Sequence, residues 1–80
     1  MTAIQYGIYF LISRPHYDEK LKIWCAYASV SWNDDKFHYH QLKNLERTFE
    51  TEEEAFGFGY VAARTWVDEY ESTRAKRFSG

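Results

Sequence analysis

The stretch that decides the fold runs from Phe49 to Tyr70 and reads FETEEEAFGFGYVAARTWVDEY. Thr51 is followed three residues later by Glu54, which is the spacing of a capping box. In a capping box, side chains satisfy backbone N–H groups that the first helical turn leaves without a partner. The neighbouring glutamates add negative charge where the helix dipole favours it. The sequence therefore predicts one long helix over about 52–71.

The apolar residues of this predicted helix fill one broad arc of a helical wheel, as expected for a helix that lies on a sheet. The predicted core face consists of Ala55, Gly59, Ala62, Ala63, Trp66, Val67 and Tyr70. Phe58 and Val61 fall outside this stripe, so we expect each to be exposed or covered by a loop. Gly59 indicates a close approach between helix and sheet, whereas Gly57 lies on the outer side without such a reason. The segment 72–80 is expected to be a basic tail.

Three strands are predicted before the helix, over about 4–13, 21–32 and 37–42. The first alternates with a period of two, and the second carries apolar residues on both sides, as a central strand does. Asn and Asp residues at 33–36 predict a turn. We expect 43–49 to be a loop with at most a short fourth edge strand. The predicted core consists of Ile4, Tyr6, Ile8, Phe10, Ile12, Ala62, Trp66 and Tyr70.

Together these elements predict an α+β fold: a three-stranded antiparallel meander with one long C-terminal helix packed on one face. The chain has 80 residues, which suits a single domain over 1–80 with one core. Cys25 is the only cysteine, so no internal disulfide is expected, and a cytoplasmic location follows from this. The N-terminal apolar stretch is far shorter than the roughly 20 residues that span a bilayer, so we expect no membrane association.

Composition and the absence of known motifs argue against several classes of function. The net charge of −2 and the pI of about 5.9 disfavour general binding to nucleic acids. We expect no catalytic residues and no cofactor, because the sequence has no nucleophile elbow, phosphate-binding glycine loop or HExxH motif. No small-molecule site is evident either. His38 and His40 are spaced to bind one metal ion, but a third ligand is not apparent, so they are weak candidates against a solvated or partner-facing strand surface.

Aromatic residues make up 20% of the chain. A single helix and one small core are not expected to cover that many rings. We therefore expect an uncovered, aromatic-rich sheet face that meets another chain, most simply a second copy. The candidate interaction surface consists of Tyr9, Leu11, Trp24, Trp32, Phe37, Tyr39, Phe58 and Val61. The sequence thus predicts a self-associating protein-interaction or regulatory module. The alternative is that this face binds single-stranded nucleic acid by stacking bases on its rings.

The helix region also carries a resemblance to known domains. Its motif consists of Phe49, Thr51, Glu53, Glu54 and Ala55, followed by Ala62, Ala63 and Trp66. This motif resembles the end of small bacterial and phage βββα domains, including the double-stranded-RNA-binding-like fold of HicB-type antitoxin domains. The resemblance covers about a quarter of the chain. It implies a sheet-plus-helix architecture and assigns no functional residue.

Overall fold

The computed structural model describes residues 3–42, 45 and 47–79, with side chains as far as residue 74. Its elements are β1 (Ala3–Tyr6), β2 (Tyr9–Ser13), β3 (His16–Asp18), β4 (Ile23–Cys25), β5 (Ala28–Asn33), β6 (Phe37–Leu42), β7 (Thr48–Phe49) and α1 (Glu52–Ser79). The strands form a four-stranded sheet, β1-β2-β5-β6, and a three-stranded sheet, β3-β4-β7, all with antiparallel pairing. The predicted α+β class with a long C-terminal helix is confirmed, although the main sheet has four strands.

The extra strand arises because the predicted strand 4–13 is a hairpin. Gly7 and Ile8 form its two-residue turn, since Tyr6 lies opposite Tyr9 in the β1–β2 register. Gly7 has a φ of 63°, and glycine at the first central position with positive φ is typical of a type II′ turn. The prediction of one strand was wrong because the alternation of large residues continues through this turn.

The predicted strand 21–32 is likewise divided, at Ala26 and Tyr27. The β2–β5 and β3–β4 pairs share one register, in which Pro15 lies opposite Ala26. Proline has no backbone N–H and so cannot donate to this ladder. The pairing resumes at once on either side, and the Arg14 N–H donates to the Tyr27 carbonyl at 2.8 Å. The two sheets are therefore joined by one long hairpin that is interrupted at its proline.

The third predicted strand is confirmed as β6. The short edge strand that was allowed within 43–49 is β7, which pairs with β4 and places Phe49 opposite Trp24. Residues 43, 44 and 46 lie outside the described part of the chain. α1 continues to Ser79, beyond the predicted end near 71, so the predicted tail is helical over 72–79.

The start of α1 has the predicted N-cap at Thr51, although the Glu54 carboxylate bonds the Thr51 hydroxyl and not a backbone N–H. The Thr51 hydroxyl oxygen accepts the Glu54 backbone N–H at 3.2 Å and donates to the Glu54 carboxylate at 3.0 Å. The acidic residues of the first turn add to this arrangement. Sequence and structure therefore agree on where the helix begins.

The core lies between α1 and the centre of the four-stranded sheet, where the helix packs mainly on β2 and β5. α1 buries Ala55, Gly59, Ala63 and Val67, one residue every four. This spacing matches the predicted helix face. The buried core cluster consists of Tyr9, Leu11, Ala28, Val30, Trp32, Ala63 and Val67, and Trp66 and Tyr70 pack against it partly buried.

Of the sheet residues in the predicted core, Ile8 and Phe10 were placed wrongly, whereas Tyr6 packs against the core cluster. Ile8 is 53% exposed and Phe10 is 43% exposed, whereas Tyr9 and Leu11 are only 3% and 1% exposed. The Gly7 turn explains the error. Because the chain reverses there, even-numbered residues of β1 share a face with odd-numbered residues of β2, and Ile4 pairs with Leu11.

Candidate functional site

The side of the four-stranded sheet opposite α1 is covered by no other element in the described part of the chain, and we call it the open face. Strand alternation directs to it Ala3, Gln5, Phe10, Ile12, Ser29, Ser31, Asn33, Phe37, Tyr39 and Gln41. None of these side chains is charged. Phe37 is 66% exposed, Tyr39 is 58% exposed, and Phe10 is exposed as well.

The open face has two apolar ridges, along β2 and β6, and a polar trough between them along β5. The β2 ridge is formed by Phe10 and Ile12, and the β6 ridge by Phe37 and Tyr39. The ridges are about 10 Å apart, since β5 lies between them and neighbouring strands are about 4.8 Å apart. β5 contributes the small side chains of Ser29 and Ser31. Ser29 is only 6% exposed, so neighbouring side chains cover most of it.

A second uncovered feature is the outer edge of β6. This strand ends the sheet order, and no strand in the described part of the chain pairs with its outer side. Its sequence, FHYHQL, contains no Lys, Glu or Pro, the residues that commonly protect an exposed edge. Within the described residues, the edge therefore presents backbone N–H and C=O groups with which no other strand pairs.

An apolar groove, which we call the edge groove, lies beside this strand on the helix side. It has a volume of about 390 Å³, and its lining includes Leu42, Leu45, Val61, Thr65, Trp66 and Glu69. It exists because α1 packs over β2 and β5 and leaves β6 projecting beyond the helix. Leu42, the last residue of β6, lines the groove, so the groove adjoins that end of the strand edge.

The two histidines of β6 stack on aromatic rings. The His38 ring lies 4.9 Å from the Trp32 ring, and the His40 ring lies 4.5 Å from the Trp66 ring, both close to parallel. The structure does not supply the missing third metal ligand, because no group of three or more His, Cys, Asp or Glu within the described residues could hold a metal ion. The metal hypothesis therefore gains no geometric support from the residues described.

Asp34 organises the β5–β6 turn. Its carboxylate accepts the Lys36 backbone N–H at 3.1 Å and lies 2.9 Å from the His38 Nε2. Hydrogen bonds from Lys36 and then from His38 hold the pKa of Asp34 below its usual value. The turn thus fixes the start of β6 and the orientation of His38.

A polar cluster joins the β1–β2 turn to the last part of α1. The Tyr6 hydroxyl donates to the Asp68 carboxylate at 2.6 Å, and the Tyr9 hydroxyl donates to Glu71, which Arg74 also contacts at 3.4 Å. Burial, followed by the bond to Glu71, raises the pKa of Tyr9 to about 12. The bond to Asp68 raises the pKa of Tyr6. The cleft here has a volume of about 520 Å³. Its polar groups bond to one another, so we interpret them as contacts that hold α1 against the β1–β2 turn.

The predicted interaction surface is divided by the structure. Phe37 and Tyr39 are exposed on the open face, as expected. Tyr9, Leu11 and Trp32 were placed there wrongly, because they lie on the helix side and are buried in the core. The residues of β2 on the open face are Phe10 and Ile12. The signal that could have identified these is Gly7, because a glycine turn inverts the relation between sequence parity and sheet face.

The remaining predicted surface residues lie elsewhere. Trp24 is half-buried in β4 and contacts Tyr17 at 5.3 Å between ring centres. Phe58 is partly covered by Phe49, with a ring distance of 5.3 Å. The guanidinium of Arg47 lies 5.4 Å from the centre of the Phe58 ring. Val61 is exposed on α1, beside the edge groove.

Comparison with known proteins adds no function to this geometry. In the described part of the chain, no helix is both long and apolar enough to cross a membrane. The chain matches no protein-family model, no curated protein and no solved structure.

Proposed function

We propose that this chain is a small, non-enzymatic interaction module that self-associates through the open face. The observation that carries the proposal is the exposure of Phe10, Phe37 and Tyr39 together on one sheet face whose strand positions carry no charge. At roughly 200 Å² for each fully exposed large side chain, they present about 300–350 Å² of apolar surface. Patches of this size on monomers are often functional.

The relief of the open face favours a second copy as the partner. A stable interface buries about 800 Å² on each partner, so the exposed rings supply less than half of it, and the trough and the rim must supply the rest. Under a two-fold axis, the β6 ridge of one copy faces the Ser29 and Ser31 trough of the other. Because the strand positions of this face carry no charge, the two copies meet without like-charge repulsion.

Binding of single-stranded nucleic acid is the second candidate. Phe10, Phe37 and Tyr39 are exposed rings on one antiparallel face, and such rings can stack bases. However, stacking platforms also need cations that follow the phosphates, and the strand positions of the open face provide none. The net charge of −2 adds to this disadvantage. A reducing, cytoplasmic location suits either function, since Cys25 is a free thiol.

Light scattering over a range of protein concentrations tests the proposal. We expect the intact chain to dimerise and the Phe10→Arg variant to remain monomeric at the same concentrations. Val61→Arg is the matched control, because it places the same charge on an exposed apolar position of α1, away from the open face. Equal loss of dimer in both variants, or no dimer in the intact chain, contradicts the proposal.

The same variants separate the nucleic-acid alternative. Titration of the intact chain with a single-stranded oligonucleotide, followed by tryptophan fluorescence at low and moderate salt, is expected to show no saturable change. Base stacking would be favoured instead if a monomeric protein bound the oligonucleotide in a salt-sensitive way. In that case Phe10→Arg should retain some binding, and Tyr39→Ala should weaken binding strongly.

A further inference from the structure

We propose that the outer edge of β6 and the edge groove together bind an extended peptide segment of another protein. The segment adds to the four-stranded sheet as a further strand and places alternate aliphatic side chains in the groove. This inference goes beyond self-association through the open face and uses other residues. Its two elements are a strand edge that no described strand pairs with and an apolar groove, and they meet at Leu42, the last residue of β6.

The backbone of β6 provides the first element. Alternate residues of an edge strand direct their N–H and C=O groups outward, and an incoming strand satisfies them. β6 has six residues, enough to pair with a peptide of similar length. It is also held firmly, because it pairs with β5 along its whole length, from Asn33 opposite Phe37 to Ala28 opposite Leu42. Strand addition of this kind gives affinity through main-chain bonds and specificity through pockets for alternate side chains.

The edge groove provides those pockets. Along an added strand, the side chains that point towards α1 recur about every 6.8 Å. On α1, Val61, Thr65 and Glu69 recur every turn, or about 6 Å, along the far wall of the groove. Trp66 contributes to the lining and is fixed there by stacking on His40. The two spacings are similar, so successive inward side chains of the peptide meet successive turns of the helix.

The chemistry of the lining selects the occupant. The side chains that line the groove are almost all apolar, and Glu69 is the one ionisable group among those described. A second copy of β6 would bring two imidazoles, from His38 and His40, towards this apolar wall. A peptide with aliphatic residues at alternate positions matches the lining better. A lysine or arginine at the end that meets Glu69 completes the charge match.

A displayed library of random heptapeptides, selected on the intact protein, tests the proposal without a known ligand. We expect enriched sequences with aliphatic residues at alternate positions. Labelled synthetic copies of the enriched peptides should lose about tenfold or more in affinity for Thr65→Arg, which blocks the groove. They should bind normally to Ser72→Arg, which carries the same charge on an exposed residue about 10 Å further along α1. No enrichment over an unrelated bait, or equal binding to both variants, overturns the proposal.

Backbone methylation of the peptide distinguishes strand addition from other modes of docking. In an added strand only alternate amides face β6. N-methylation of one alternate set should therefore abolish binding, and N-methylation of the other set should preserve it. Equal effects of the two sets would overturn the proposal.

The test is independent of the proposed self-association. Thr65→Arg should dimerise like the intact chain, whereas Phe10→Arg should remain monomeric and still bind the peptide. If Thr65→Arg prevents dimerisation instead, the edge is a contact between copies, and the peptide proposal fails.

Discussion

Gly59 of α1 lies directly against Ser13 of β2. A Cβ atom added at Gly59 would collide with the Ser13 hydroxyl and lie 3.2 Å from the Tyr27 carbonyl oxygen. The Ser13 hydroxyl in turn donates to the Phe56 carbonyl of the helix at 2.7 Å. The absence of a side chain at Gly59 thus allows a buried serine to bond the helix backbone. This contact sets the distance between helix and sheet.

The two helix glycines should respond oppositely to alanine. Gly57→Ala adds a methyl group where nothing lies within 4 Å, so it should stabilise the fold by about 0.5–1 kcal/mol through helix propensity. Gly59→Ala should destabilise it by about 1–3 kcal/mol through overpacking. Urea titration measures both changes. Stabilisation of the protein by both substitutions would contradict the close contact with Ser13.

Neighbouring residues of β2 test which side of the sheet the helix covers. Leu11→Ala should lower the free energy of unfolding by about 2–5 kcal/mol, because Leu11 is fully buried against α1. Phe10→Ala should lower it by less than about 1 kcal/mol, because Phe10 lies on the open face. Both values are to be measured by denaturant titration at a dilution where the chain is monomeric. The reverse ranking would place the helix on the other face.

Removal of the helix cap should have a moderate and specific cost. Thr51→Ala should destabilise the protein by about 1 kcal/mol, because the Glu54 N–H loses its acceptor. Thr51→Ser retains the hydroxyl, so its stability should be close to that of the original protein. Thermal unfolding of the three proteins makes the comparison, and identical midpoints for all three would show that the cap contributes nothing.

The raised pKa of Tyr9 predicts a loss of stability at high pH. An unfolded tyrosine has a pKa of about 10, whereas that of Tyr9 in the fold is about 12. Between these values the unfolded chain has lost the proton that the native chain retains, so stability must fall as pH rises through this window. Tyr9→Phe should show a shallower decline in its urea midpoint from pH 10 to 12. If the urea midpoints of the two proteins decline in parallel, the raised pKa of Tyr9 is contradicted.

Local signals in the sequence predicted the helix and the third strand well. The capping box and the four-residue spacing around Ala63 are properties of the helix itself, so they could be read without knowledge of the sheet. The faces of the sheet could not be read in this way. Alternation gives two faces but does not say which meets the helix, and Gly7 reverses the chain without interrupting the pattern.

The candidate surfaces were harder to predict than the fold. Tyr9 and Phe10 are adjacent and both aromatic, and only the register with β5 assigns one to the core and the other to the open face. The edge groove depends on where α1 crosses the sheet, which is a tertiary property. The bond between Tyr6 and Asp68 joins residues 62 positions apart and has no sequence signal.

Isotope-filtered NMR on a mixture of labelled and unlabelled chains tests the central claim most directly, because it detects only contacts between copies. We expect intermolecular contacts from the ring protons of Phe10, Phe37 and Tyr39. Intermolecular contacts confined to α1, or none at concentrations where the chain is intact and folded, would contradict it.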